Sequence, residues 1–178
     1  MQQVLADAEL LFHRRDIDHA VDQLAVRISV EFYERNPLVV CVMNGGVSLT
    51  ADLLHRLHFP LQFDYVHATR YRNSTEGAAV EWLREPSVDC RGRAVLIVDD
   101  ILDEGVTLAA VVQRFREQGA SSVKCAVLLR KQLARPPQVT ADFVALECPD
   151  RYVFGRGMDY QGYWRNLSDI YALKAATP

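Results

Sequence analysis

Long apolar runs and clustered basic residues are both missing from this chain of 178 residues. Without an apolar stretch near the length of a bilayer span, the sequence offers no candidate for a membrane-crossing helix. The formal net charge is −3 and no lysine or arginine run occurs, which argues against a large nucleic-acid interface. The 49% hydrophobic content is enough for a full core, and the length indicates one domain, residues 1–178.

The spacing of the cysteines does not suit a metal site. The four cysteines are Cys41, Cys90, Cys125 and Cys148. Cys41 and Cys125 lie inside apolar, strand-like runs, where a thiol behaves as a small core residue. The N-terminal residues lack the cationic and then apolar pattern of a secretory signal. We therefore expect a cytoplasmic protein with reduced thiols.

One segment, residues 95–107, carries the strongest functional signal. Four apolar residues predict a short buried strand, the carboxylates of Asp99 and Asp100 follow it, and an amphipathic helix begins near Thr107. In an open α/β sheet, ligands bind at this edge. Backbone N–H groups and the positive end of the helix dipole suit a phosphate there. Because carboxylates repel phosphate, we expect them to hold sugar hydroxyls or a bridging Mg²⁺ of the same ligand.

Hydrophobic periodicity predicts helices that alternate with strands. Apolar stripes at residues 17–32, 49–57 and 108–115 predict three helices, with Asp16 or Asp18 capping the first and Ser48 the second. The predicted strands cover residues 38–43, 61–67, 79–83, 95–98, 123–129 and 143–146, and residues 150–171 are expected to be irregular. This order predicts an α/β fold with a mainly parallel twisted sheet and helices on both faces, the hairpin at residues 61–83 adding antiparallel character.

A second strand-to-helix turn contains Asn44, Gly45 and Gly46. Alone, this pattern fits an ordinary tight turn with a helix cap equally well. Both glycine turns follow buried strands, so we expect them to open at one sheet edge, where two sets of backbone donors suit a ligand with phosphates at both ends. Lys131 is expected just beyond a strand end at that edge, although such lysines are usually solvated surface residues.

Three aromatic or charged residues near the C-terminus have plain structural explanations when each is taken alone. Asp159 fits a turn carboxylate, Arg165 an exposed arginine and Tyr152 a core aromatic residue.

Residues 95–107 closely resemble, at thirteen consecutive positions, the signature by which type I phosphoribosyltransferases bind phosphoribosyl pyrophosphate (PRPP). Other stretches are similar to the hypoxanthine-guanine branch of that family, and they are residues 41–46, 51–54, 128–131, 141–144, 148–155 and 158–167. The resemblance covers most of residues 38–170. It implies a small hood over the active site, built from C-terminal and N-terminal segments and including residues 150–170, and a mobile loop at about residues 70–78.

The resemblance also implies an activity and a set of site residues. The implied reaction transfers the 5-phosphoribosyl group from PRPP to N9 of hypoxanthine or guanine, with Mg²⁺ as cofactor. The implied PRPP-binding residues are Asp99, Asp100, Glu104, Gly105, Val106, Thr107, Asn44, Gly45, Arg165, Arg70 and Tyr71. The implied purine-binding residues are Ile101, Lys131, Tyr152 and Val153, and the implied metal ligands are Asp159, Asp99 and Asp100. Asp103 is our candidate general acid–base.

Three positions depart from the family pattern. Asn44 stands where some relatives have lysine, Glu104 where threonine is usual, and Arg70 where serine is common. The first two changes remove a charge contact and a hydroxyl donor from PRPP, whereas Arg70 could return positive charge over the pyrophosphate. In relatives the peptide bond at Asn44 is often cis.

Two alternative functions stay open at this point. One is an enzyme of the same class that prefers xanthine, and the other is a PRPP-sensing regulator that binds RNA or DNA. Relatives usually form dimers or tetramers, so we expect a homo-oligomer in either case.

Overall fold

A computed structural model describes residues 1–70 and 80–174 of the chain. The strands are β1 (Glu9–Phe12), β2 (Leu38–Met43), β3 (Gln62–Arg70), β4 (Val80–Arg84), β5 (Ala94–Leu102), β6 (Ser122–Gln132), β7 (Phe143–Pro149), β8 (Val153–Phe154) and β9 (Ile170–Ala172). The helices are α1 (Gln2–Asp7), α2 (Arg14–Phe32), α3 (Val47–Leu54) and α4 (Val106–Glu117). Residues 71–78 of the predicted mobile loop lie outside the described residues.

Six strands form the main sheet in the order β4-β3-β2-β5-β6-β7. All neighbours pair in parallel except β3 and β4, which form the predicted antiparallel hairpin. The first five residues of both β2 and β5 are buried, because the sheet is covered on both faces. The predicted mainly parallel α/β fold is therefore confirmed.

Helices cover the two faces of the sheet. The apolar stripe of α2 is buried, and it packs together with α3 residues such as Leu49 and Leu53 against alternate strand residues such as Val39 and Leu96. On the opposite face α4 packs against the intervening strand residues, including Ile97. Because successive strand residues face opposite layers, each continuous apolar strand supplies both cores. Within the described residues, no helix combines the length and apolar character needed to cross a membrane.

Two helix caps differ from the expectation. Helix α2 begins at Arg14 and its N-cap residue is His13, so Asp16 lies in the first turn and Asp18 further inside. Helix α3 begins at Val47, which places Ser48 inside the helix rather than at its cap. The apolar stripe shows which face of a helix packs, but the first turn of a helix contributes little to it. The predicted starts of α2 and α3 are therefore too late in the sequence.

The C-terminal region is more regular than expected. Strands β8 and β9 lie within or next to residues 150–171, and they form a three-stranded antiparallel sheet with β1 in the order β1-β9-β8. Strands of two to four residues are too short for their alternation to be recognised, and β1 comes from the far end of the sequence. This sheet joins the two termini in the way expected for the hood.

Candidate active site

Two neighbouring cavities, which share the lining residues Asp100, Ile101, Asp103 and Asp159, open where the parallel strands of the main sheet end. The larger, of about 370 Å³, contains eleven of the residues predicted to act in catalysis or in binding PRPP, metal or purine. They are Asn44, Gly45, Asp99, Asp100, Ile101, Asp103, Gly105, Val106, Thr107, Asp159 and Arg165. The smaller, of about 200 Å³, is lined by Asp100, Ile101, Asp103, Lys131, Tyr152, Val153, Met158 and Asp159. The predicted purine-binding residues therefore share one cavity.

The glycine turn after β2 lies directly against the acidic pair. A Cβ atom on Gly45 would stand only 1.8 Å from Oδ2 of Asp100, so glycine is required for this approach. On its other side, a Cβ atom on Gly157 would stand 2.2 Å from the carbonyl oxygen of Gly45. The peptide between Met43 and Asn44 is cis. The turn is thus held between β5 and the hood.

Asp99 and Asp100 lie inside the last part of β5 rather than beyond its end, because the strand continues to Leu102. Their carboxylates accept local hydrogen bonds, Asp99 Oδ1 from the Asp100 N–H at 2.9 Å and Asp100 Oδ1 from the Ile101 N–H at 2.7 Å. Burial and the neighbouring Asp100 charge raise the pKa of Asp99 well above its ordinary value, and burial also raises the pKa of Asp100. Arg165 opposes both shifts. Two acids in this setting favour a cation or hydroxyl donors as ligands.

The loop after β5 presents backbone donors to the larger cavity. Gly105 adopts a left-handed conformation with φ 77° and forms the N-cap of α4, and no side chain caps the helix there. The first bond along the helix runs from the Ala109 N–H to the Gly105 carbonyl at 2.8 Å, so the N–H groups of residues 106–108 precede it. Glu104 lies just outside this cavity, and its carbonyl accepts from the Gln138 N–H at 2.9 Å. The arrangement suits a phosphate group.

Lys131 and Asp103 form an ion pair in the wall of the smaller cavity. Lys131 lies inside β6, because that strand runs further than the predicted 123–129. Its Nζ atom is 2.7 Å from Oδ2 of Asp103 and 3.7 Å from Oδ1 of Asp150. The lysine side chain is only 13% exposed. Beyond the pair lies an open cleft of about 800 Å³, which Arg135 and Gln138 also line.

Two predicted site residues of the hood are also paired with each other: Asp159, the predicted metal ligand, and Arg165, which is predicted to bind pyrophosphate. Arg165 Nη2 is 2.6 Å from Oδ1 of Asp159, and its Nη1 donates to the Gly157 carbonyl at 2.7 Å. The second oxygen of Asp159 accepts from the Gly162 N–H at 2.7 Å. Tyr152 donates from its hydroxyl to the Asp159 carbonyl at 3.1 Å. The hood thereby links the two cavities.

Not every predicted residue can be placed, and one important residue was missed. Arg70 ends β3, and Tyr71 lies outside the described residues. Arg156 was not singled out, yet it joins the hood to Asp18 and Asp52. The only sequence signal was its position between Gly155 and Gly157, which does not reveal distant partners.

The fold and the site together define a class of protein. A parallel sheet whose strand ends carry an acidic pair, a helix N-terminus and a second glycine turn has the features of a crevice that binds a phosphorylated sugar. Residues 9–161 match the model of the phosphoribosyl transferase domain.

Similar proteins and solved structures indicate which branch of this family the chain belongs to. The chain is 34% identical over 169 residues to a hypoxanthine-guanine phosphoribosyltransferase of Bacillus subtilis, and the aligned region covers 94% of each chain. It is similar to the crystal structure of a hypoxanthine phosphoribosyltransferase from Staphylococcus aureus, with a TM-score of 0.89, 27% identity, and 96% and 94% of the two chains covered. A hypoxanthine-guanine phosphoribosyltransferase from Bacillus anthracis gives a TM-score of 0.87 at 29% identity, covering 93% of this chain and 98% of that one. The chain belongs to the phosphoribosyltransferase family, in its hypoxanthine-guanine branch.

Proposed function

We propose that this protein transfers the 5-phosphoribosyl group from PRPP to N9 of hypoxanthine or guanine, a purine-salvage reaction that yields IMP or GMP and pyrophosphate. The observation that carries the proposal is the pair of adjacent cavities. Their shared walls include Asp100, Ile101 and Asp103, so a ligand in one cavity can react with a ligand in the other. One cavity has acids and backbone donors, and the other has a lysine and a tyrosine, as a sugar phosphate and a flat base respectively require.

In the larger cavity, the PRPP contacts divide by chemistry. The N–H groups at the start of α4, with the Thr107 hydroxyl, would bind the 5′-phosphate, while Asp99 and Asp100 accept hydrogen bonds from the ribose hydroxyls. Asn44 and Gly45 would contact the pyrophosphate from the glycine turn, and Arg165 would bind it from the hood.

Magnesium is expected to bind together with the substrate. Within residues 1–70 and 80–174, no group of three or more metal-ligating side chains is arranged to hold an ion alone. Mg²⁺ is commonly held by one or two carboxylates plus substrate phosphates, and the half-buried Asp99 and Asp100 fit such a shared site. Asp159 would supply oxygen to a second ion. When bound, the metal would neutralise charge on the departing pyrophosphate.

In the smaller cavity, the base would lie between Tyr152 and Ile101. Lys131 would donate to the purine 6-oxo group, and the Val153 carbonyl would accept from the 2-amino group of guanine. Cleavage of the C1–O bond of PRPP leaves an oxocarbenium-like ribosyl group, which N9 attacks. Asp103 would accept the proton from N7 as that bond forms, and its ion pair with Lys131 keeps it near the purine edge.

We also propose that the protein is cytoplasmic and forms a homo-oligomer. Phe63 and Tyr65 lie on one face of β3, two residues apart, and Leu83 lies on the neighbouring β4; all three side chains are exposed. Exposed apolar side chains on adjacent strands are suited to an interface between copies. Light scattering on the protein and on a Phe63→Ser/Leu83→Ser variant would test the proposed homo-oligomer, and a monomeric parent would contradict it.

The proposed reaction is tested by measuring PRPP-dependent turnover with hypoxanthine, guanine, xanthine, adenine and uracil in parallel. We expect turnover with hypoxanthine and guanine and little with adenine, because Lys131 can donate to a 6-oxo group but cannot accept from a 6-amino group. Equal use of adenine would contradict the base assignment. Absence of turnover with every 6-oxopurine would contradict the proposed function itself.

A further inference from the structure

Arg156 joins three parts of the protein through a single nitrogen. Its Nη2 atom is 2.6 Å from Oδ1 of Asp18 on α2 and 2.8 Å from Oδ2 of Asp52 on α3. The arginine side chain is 12% exposed, whereas the side chains of Asp18 and Asp52 are 33% and 27% exposed, so the bridge is partly shielded from water. The residue has a left-handed φ of 50°. A partly shielded ion pair shared between two carboxylates is screened by water less than a fully exposed pair, so it holds its partners more firmly.

The bridge leads directly to the PRPP end of the site. The residue after Arg156 is Gly157, which packs against the Gly45 carbonyl. The Gly157 carbonyl accepts a hydrogen bond from the Arg165 guanidinium. Asp52 lies on α3, the helix that begins directly after the glycine turn. Arg156 is therefore attached to both sides of the contact between the hood and the glycine turn.

We propose that Arg156 is a positioning residue for PRPP. By tying the hood to α2 and α3, it holds Gly157 against Gly45, and this fixes the distance between the glycine turn and Arg165. Both of those groups are assigned above to pyrophosphate, so the inference rests on the proposed function. Arg156 itself would not contact the substrate, and its effect would fall on the PRPP end of the site rather than on the purine end.

Two substitutions at this position separate charge from size. Arg156→Met removes the bridge, and we expect it to raise the KM for PRPP by about 10- to 100-fold, because small displacements of positioning groups have effects of that size. The KM for hypoxanthine should stay within about twofold. Arg156→Lys should recover most of the PRPP affinity, because a single nitrogen contacts both carboxylates and a lysine ammonium can replace it.

Arg151 provides a matched control. It is also a hood arginine, 24% exposed, with an ion pair at 2.7 Å to Glu9, which is 52% exposed, and a hydrogen bond to the Leu173 carbonyl at 2.7 Å. Its partners belong to β1 and to the segment after β9, not to the helices beside the glycine turn. Arg151→Met should therefore lower the melting temperature while the KM for PRPP stays within about twofold.

The outcomes distinguish the inference from its alternatives. If Arg156→Met and Arg151→Met lower the melting temperature equally and raise the KM for PRPP equally, Arg156 has only a general structural role and the inference is overturned. If Arg156→Met does not fold, Asp52→Asn weakens the same bridge and must raise the KM for PRPP selectively. An unchanged KM for PRPP in that variant overturns the inference, whereas a parent protein without PRPP-dependent turnover overturns the proposed function instead.

Discussion

Replacing Asp99 with asparagine should make the ligand-free protein more stable while it damages catalysis. Asparagine keeps the size of the side chain and an oxygen that can accept the Asp100 N–H, which lies 2.9 Å from Oδ1 in the parent. It removes one of two adjacent, partly buried negative charges. The proposed role of both acids in binding the ligand would explain why the parent retains this repulsion, and the variant tests that explanation directly.

The size of the effect follows from the arrangement of charges. Two like charges about 4 Å apart repel by about 4 kcal/mol at an effective dielectric constant of about 20. Arg165 offsets part of this repulsion, and water reaches the half-buried pair. We therefore expect Asp99→Asn to add about 1–2 kcal/mol to the free energy of unfolding, or about 2–8 °C to the melting temperature.

The gain should depend on pH with a definite sign. Folding raises the pKa of Asp99, so its contribution to stability is complete below the ordinary carboxyl pKa and is lost as the pH rises through the raised value. The Asp99→Asn variant does not titrate at this position. Its advantage over the parent should be small near pH 4, grow as the pH rises and then level off. Thermal melts of both proteins across this range, without ligand or metal, measure the difference.

Asp64 is the matched control for this experiment. Burial alone would raise its pKa, but backbone N–H groups of Ser87, Val88 and Tyr65, together with Arg84, outweigh burial and lower it. Asp64→Asn should therefore destabilise the protein at neutral pH, by about 1–3 kcal/mol. A fall in melting temperature for Asp99→Asn, comparable to that of Asp64→Asn, would refute the repulsion argument. In the proposed reaction, Asp99→Asn should also weaken PRPP binding by about 10- to 100-fold, from lost hydrogen bonds to a charged group.

Three further predictions concern the reaction. Lys131→Gln should raise the KM for both 6-oxopurines by about tenfold or more with the KM for PRPP nearly unchanged, and an equal effect on both substrates in steady-state kinetics would contradict its placement at the base. Asp103→Asn should lower kcat by about 10²–10⁴-fold with little change in the PRPP dissociation constant, and a kcat within a few-fold of the parent would exclude Asp103 as the base. Excess chelator should abolish turnover and added Mg²⁺ restore it; full activity in chelator would contradict the metal assignment.

The sheet and its ligand edge were predictable because they depend on local patterns. Strand β2 occupies the predicted residues 38–43, since a continuous apolar run between turn residues has few other interpretations. The strands β5 and β6 were predicted too short, because polar residues near a site edge resemble the end of a strand. As a result, Asp99, Asp100 and Lys131 were expected beyond strands that in fact contain them.

Pairing between distant residues was not predictable from one sequence. Lys131 and Asp103 are 28 positions apart, and the bridge from Arg156 to Asp18 spans 138 positions. Composition and periodicity report the neighbourhood of each residue, whereas these contacts depend on how the hood folds back over the sheet. The small sheet was missed for the same reason, because β1 and β9 come from opposite ends of the chain.

The two ends of the candidate site differ in how their charges are balanced, and this difference matches the two proposed substrates. At the proposed base end, Lys131 stands between Asp103 and Asp150, so the lysine that would meet the purine already has carboxylate partners. At the PRPP end, Arg165 is paired with Asp159, and burial still raises the pKa of both Asp99 and Asp100. Backbone hydrogen bonds and Arg165 stabilise those two acids in part, and cations or hydroxyl donors arriving with the ligand would stabilise them further. The end proposed to bind a neutral base is therefore electrostatically prepared in advance, and the end proposed to bind a magnesium polyanion would be completed by its substrate.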